Sequence, residues 1–208
     1  MTKKQIIVLK VLVWVVGLLP LGRLVYKYFT GGLGANPIEF ITLATGSWTL
    51  TLLLATLAIT PLRKISGLNW LIRFRRLLGL FTFFYGFLHF TTYVWLDKFF
   101  DVSDMLRDVA KRPFITAGFV AFMSMVPLAV TSTTWAIRKI GGKNWNNLHR
   151  LIYLSGLAAV VHYWWKVKAD HRKPGIYAAV LAVLLFYRVA IWTRTRISNA
   201  SKEAGATN

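Results

Sequence analysis

The chain has 208 residues, 56% of them hydrophobic, with nine Trp, fourteen Phe and a formal net charge of +19. Cysteine is absent, which excludes disulfides, thiolate metal sites, iron–sulfur clusters and thiolate-ligated haem. No Rossmann or Walker glycine motif marks a nucleotide site, and the mean hydropathy of +0.51 outranks the nucleic-acid reading that so basic a soluble chain would invite.

Apolar runs of roughly 18–20 residues recur along the chain, each long enough to cross a hydrocarbon core of about 30 Å. They predict an all-α membrane protein, a bundle of six transmembrane helices, near 6–26, 45–62, 76–96, 114–134, 147–166 and 174–193. Residues 1–197 form this membrane domain and 198–208 a small, polar, disordered cytoplasmic tail. Lys3 and Lys4 precede the first run, but it carries Lys10 and lacks a small-residue cleavage site, so it reads as a retained helix. Gly31, Gly32, Gly34 and Pro37 mark the first loop. Pro61 to Asn69 break the second span from the third, and Asp97 to Pro113 form the longest loop. Gly141 and Gly142 separate the fourth and fifth spans, and Pro174 and Gly175 open the sixth.

Charge orients the bundle. With six spans, the side shared by the termini collects Arg63, Lys64, Arg73, Arg75, Arg76, Arg138, Lys139, Lys143 and Arg150, with Glu203 its one acid. The other acids fall in the opposite loops, so both termini are expected in the cytoplasm. The basic stretch from Arg63 to Arg76 anchors to anionic lipid or grips phosphate or carboxylate through bidentate guanidinium contacts. The loop from Asp97 to Arg112, mixed in charge, is either a docking surface for a periplasmic partner or a plain amphipathic segment.

Polar groups inside a bilayer are costly and need partners. No acid lies inside a predicted span; three histidines do, His89 in the third and His149 and His162 in the fifth. His89 lies about 13 residues, roughly 20 Å, above the cytoplasmic end of its span. His162 lies near the outer end of a helix running in the same direction. Two imidazoles at matched depth suit the two axial positions of haem iron; each is also open to a simple hydrogen bond with a neighbouring helix. His149 precedes His162 by 13 residues, a rotation of roughly 220° on an ideal helix. Sharing a face requires an irregular start to the span or a bulge near Ser155–Gly156. The positions opposite His149 on the third span are Arg75 and Arg76, so an inner site holds either an unusually ligated second haem or another group. His171, among Asp170, Arg172 and Lys173, reads as a surface residue.

Several stretches carry a resemblance: GGLGANP at 31–37, LLLATLAITPL at 52–62, RFRRLLGLFTFFYGFLHFTTY at 73–93, KRPFITAGF at 111–119, TSTTWAIRKIGGKNWNNLHRLIYL at 131–154 and VHYWWKVK at 161–168. Together they resemble the MsrQ family, haem-binding membrane subunits of the bacterial MsrP–MsrQ methionine sulfoxide reductase system, related to ferric reductase and NADPH oxidase membrane domains. The resemblance implies an inner-membrane subunit that binds b-type haem, one or two, and FMN. His89, His149 and His162 correspond to the family's haem histidines. It also implies that electrons come from the quinone pool or a cytoplasmic flavin reductase. They go to MsrP, a periplasmic molybdopterin enzyme that repairs oxidised methionine and carries the catalysis. No nicotinamide or flavin-reductase module is visible in the chain, so the donor is external. The competing readings are a ferric or quinone reductase with a free acceptor, and a transporter or structural subunit without cofactor.

Overall fold

The computed structural model describes residues 1–206, with side chains through Ser198. Its described residues are helical from end to end. The elements are α1 (Lys3–Phe29), α2 (Pro37–Ser66), a 3₁₀ turn (Asn69–Leu71), α3 (Ile72–Thr91) with a π-helical turn (Thr92–Asp97), α4 (Val102–Lys111), α5 (Pro113–Val130), α6 (Thr134–Ile140), α7 (Gly142–Leu148), α8 (Leu151–Lys166) and α9 (Arg172–Ala206). Residues 207–208 of the expected tail lie outside the described residues.

Two antiparallel pairs form the centre: α2 packs along α3 and α5 along α8, with α9 closing against α2 and α8. Leu50, Leu53, Leu54 and Leu57 recur at the helical period on α2 and meet Phe122 and Met125 of α5 and Leu181 and Leu184 of α9. Burial of apolar area cannot drive such packing in lipid, so close fit and interhelical hydrogen bonds must. Ser124 and Ser155 supply one such bond at 2.8 Å across α5 and α8, with Ser155 fully buried. Along α1, by contrast, Ile7, Val8, Val11, Leu12, Val15 and Leu19 stay exposed, as lipid-facing residues must.

Among the described residues, five helical stretches are long and apolar enough to cross a membrane: Lys3–Phe29, Pro37–Ser66, Asn69–Asp97, Pro113–Val130 and Arg172–Ser198. Of the six expected spans, the fifth is not among these stretches. The stretch expected at 147–166 is helical as α8 only over Leu151–Lys166, 16 residues and so about 24 Å at 1.5 Å per residue. The cause is local. Around His149 and Arg150 the backbone tightens into i→i+3 bonds, Arg150 N–H to Asn147 O and Ile152 N–H to His149 O, which set α7 apart from α8.

Pro61 also differs from its sequence reading: it does not break α2, which continues to Ser66 and ends on Gly67 at φ +71°. Proline lacks the N–H that would bond the carbonyl four residues back, here that of Leu57. Arg188 of α9 fills the vacancy. Its guanidinium donates to Leu57 O at 2.7 Å and to the Tyr153 hydroxyl at 2.9 Å. Near Pro20 of α1 a similar repair operates. The buried Tyr85 hydroxyl inserts between Leu21 N–H, from which it accepts at 3.2 Å, and Gly17 O, to which it donates at 2.7 Å.

After the π-helical turn, Phe99 and Phe100 take positive φ values of 48° and 63° and reverse the chain into α4. Lys98, its side chain 9% exposed, bonds Asp104 and Asp108 at 2.6 Å each. These contacts raise the Lys98 ammonium above its usual range and hold the Asp104 carboxyl below its own. A carboxyl lowered by folding contributes stability above its unfolded pKa, about 3.9, and loses that contribution as pH falls through the lower folded value. The loop from Asp97 to Arg112 is thus an ordered amphipathic helix pinned by one lysine.

Arg188→Leu should leave the Leu57 carbonyl unpaired and cost about 1–3 kcal/mol, seen as a lower unfolding midpoint in detergent. Adding Pro61→Ala should recover part of the loss, because an N–H returns at position 61; no recovery contradicts the assignment. Protection factors for amide exchange in α4, corrected for the intrinsic rate at each pH, should hold from pH 8 to about pH 5 and fall below about pH 4. Lys98→Met should lower them at neutral pH and converge with the parent where the carboxyls are protonated.

Candidate functional site: a paired-histidine cavity

The turn-by-turn register of α3 and α8 brings His89 and His162 face to face across the bundle. Their ring centroids lie 6.0 Å apart, with the ring planes at 78°. Each ring is fixed by a backbone carbonyl of the neighbouring helix. His89 Nδ1 lies 2.9 Å from Thr42 O on α2, and His162 Nδ1 lies 2.6 Å from Phe114 O on α5. A carbonyl only accepts, so each Nδ1 carries the proton and each Nε2 keeps its lone pair.

The two supports share a pattern. Gly46 stands one turn after Thr42, and Gly118 one turn after Phe114. A Cβ on Gly118 would sit 2.7 Å from His162 Nδ1, and one on Gly46 would sit 3.0 Å from His89 Cε1. An imidazole reaches a carbonyl already inside a helix because the residue one turn on has no side chain. Thr42 also faces the π-helical turn, its hydroxyl 3.3 Å from that of Thr92, which in turn donates to His89 O at 2.7 Å.

Both rings open into a cavity of about 520 Å³ between α2, α3, α5 and α8, within the range of roughly 300–1,000 Å³ usual for cofactor sites. Phe90, Phe119 and Phe122 line it; Asn36, Glu39, Tyr93, Asp97, Arg112 and Lys166 ring its α4 end. Among the described residues no three His, Cys, Asp or Glu side chains converge, so the pair suits a metal whose other ligands come from a macrocycle. The spacing agrees. Two imidazole–metal bonds of about 2 Å, plus about 1 Å from each nitrogen to its ring centre, put opposed centroids roughly 6 Å apart. The centroid spacing of His89 and His162 is that of two imidazoles sharing one haem iron.

His149, Arg75 and Arg76 lie elsewhere. They line a second cavity of about 300 Å³ at the opposite end of the same helices, with Thr82, Phe83, Ser132 and Trp145. Met125 borders both cavities. Phe83 stacks on Phe122 at 5.8 Å and 9°, and Phe122 on Phe90 at 4.6 Å and 14°, so an aromatic wall divides them. His149 is held differently from the other two histidines. The Thr131 hydroxyl donates to Pro127 O at 2.6 Å, so its oxygen accepts from His149 Nε2 at 3.2 Å. The ring stacks on Trp145 at 3.7 Å. In this arrangement the atom that faces outward on His89 and His162 is occupied on His149. His171 rests against Trp164 at 5.0 Å, apart from both cavities. The glycines and their carbonyl partners were missed by the sequence reading; the spacing of Gly46 and Gly118 from Thr42 and Phe114 was the only sign of them.

Residues 42–160 match the family model described as ferric reductase like transmembrane component. That span begins at the Thr42 support of His89 and ends just before His162. The chain is 52% identical over 206 residues to the protein-methionine-sulfoxide reductase heme-binding subunit MsrQ of Herminiimonas arsenicoxydans, covering 98% of this chain and 94% of that one. It is 52% identical over 198 residues to the subunit of the same name from Bordetella pertussis (94% and 96% covered). For that of Xanthomonas campestris pv. campestris the identity is 46% over 202 residues (93% and 91%). No solved structure matches. The chain belongs to the MsrQ family of heme-binding subunits of protein-methionine-sulfoxide reductase, within the ferric reductase-like transmembrane proteins.

Proposed function

We propose that this protein is the haem b electron-transfer subunit of a methionine sulfoxide reductase system in the bacterial inner membrane. It delivers electrons from the quinone pool or a cytoplasmic flavin reductase to a periplasmic molybdopterin partner of the MsrP type. Sulfoxide reduction takes place on that partner. The observation that carries the reading is the His89–His162 pair, each Nε2 free and each Nδ1 fixed. A b-type haem held there supplies a one-electron ferric/ferrous couple. The protein's own part is to keep both imidazoles neutral and oriented, and to surround them with apolar side chains that exclude water.

The reading uses six crossings with both termini in the cytoplasm, α8 completing its crossing through the turn at His149–Arg150. The α4 end of the bundle then faces the periplasm, and the larger cavity lies on the side of the acceptor. The smaller cavity, with Arg75, Arg76 and His149, lies toward the donor and is the candidate site for FMN phosphate or a second haem.

Purified protein should show a Soret band that shifts on dithionite reduction. His89→Ala and His162→Ala should each abolish the two-imidazole spectrum, and His149→Ala should retain it. A colourless but folded preparation, or His89 and His162 variants with the unaltered spectrum, contradicts the reading. Failure to reduce a periplasmic molybdoenzyme in proteoliposomes, with ferric chelates reduced instead, would favour a free-acceptor reductase. Gly118→Ala should lower haem content several-fold, consistent with an overpacking cost of about 1–3 kcal/mol, and Gly46→Ala should lower it less, since its contact is looser. A reporter fused after residue 198 should be active only in its cytoplasmic form; periplasmic activity would invert the orientation.

A further inference from the structure

We propose that Lys166, Arg112 and the Tyr93 hydroxyl anchor the two carboxylates of the macrocycle held by His89 and His162. The inference rests on the haem reading above and differs from the sequence expectation that the basic stretch from Arg63 to Arg76 grips carboxylate. Arg75 and Arg76 line the other cavity, beyond the Phe83–Phe122 wall. Carboxylates at the larger cavity therefore need donors of its own, because an ionised carboxylate in an apolar site is costly unless paired.

Three observations place those donors at the α4 end. Lys166 stands one turn after His162 and lines the cavity. It makes no side-chain hydrogen bond or ion pair among the described residues, so its ammonium has no counter-ion at the cavity. Tyr93 stands four residues after His89 and lines the same cavity, its hydroxyl buried and without a partner. An orphaned buried hydroxyl marks a missing acceptor. Arg112 opens α5 two residues before Phe114, and spends only its Nε on Asp108, at 3.4 Å. Each iron-ligating histidine is thus followed four residues on by a donor at the cavity mouth. Glu39 and Asp97 share that mouth. Asn36 Nδ2 bonds Glu39 at 3.1 Å. The mixed charge suits carboxylates tethered to a ring that the histidines already hold, more than free anions.

The test uses the holoprotein. Haem release to excess apomyoglobin should be about tenfold faster in the Lys166→Gln, Arg112→Gln double variant than in the parent, and about threefold faster in Tyr93→Phe, with the two-imidazole spectrum intact. With haem dimethyl ester exchanged in, parent and double variant should release it at the same rate, because the carboxylates are gone. Arg75→Ala, Arg76→Ala should leave release from the two-imidazole site unchanged. Equal release of free-acid haem from parent and double variant overturns the proposal. So does an acceleration that persists with the diester, which would mark a general loss of structure. Absence of any two-imidazole spectrum in the parent removes the haem reading itself, and this proposal with it.

Discussion

Two backbone carbonyls, those of Thr42 and Phe114, are the constraint on which the site depends. Each receives the Nδ1–H of one histidine, and that single contact sets the tautomer, the ring orientation and the direction of the free Nε2. A hydrogen bond from one ring nitrogen to a carbonyl commonly decides how the other nitrogen of a histidine presents itself to a metal. What is specific here is the means. A helix carbonyl is already engaged within its helix, and a ring reaches it only where the next turn leaves room. Gly46 and Gly118 leave that room on two different helices. The pairing of α2 with α3 and of α5 with α8 follows as a requirement, because each histidine helix must lie against the helix that carries its glycine.

The same economy of backbone groups recurs through the bundle. In lipid a freed carbonyl or N–H has no water to turn to, so every irregularity needs an answer from a neighbouring helix. Arg188 answers Pro61, and Tyr85 answers the disturbance beside Pro20. These repairs lock α9 to α2 and α1 to α3, so helices outside the central four are fastened by polar contacts at points where the ladder fails. The two histidine rings are held where α2, α3, α5 and α8 pack most closely. The departures from long straight helices fall in the π-helical turn, α4 and the short segments around His149.

Much of the site was legible in the chain itself. Counting residues from the span ends was enough to put His89 and His162 at one depth, because helical rise is fixed and the spans are long. The supports were not legible, since a glycine on one helix gains its meaning only from the register of another. Pro61 was misread because a proline is ordinarily a breaker, and Arg188, 127 positions away in sequence, lies beyond any local signal. The fifth span was drawn too long because the polar residues before His149, Asn144, Asn146 and Asn147, are themselves helical as α7, and the i→i+3 turns that part α7 from α8 leave no trace in hydropathy. The roughly 220° rotation between His149 and His162 is visible in the fold: His149 faces a separate cavity, and its Nε2 is already bonded.

On the function proposed above, two crossed imidazoles, each with a fixed tautomer, hold one iron. Low-temperature electron paramagnetic resonance of the oxidised, purified protein reads this directly. Imidazole planes near the observed 78° predict a low-spin ferric signal with the strong axial anisotropy of nearly perpendicular ligands. A dominant high-spin signal, or a low-spin signal of parallel-plane character, would contradict the pairing of His89 with His162.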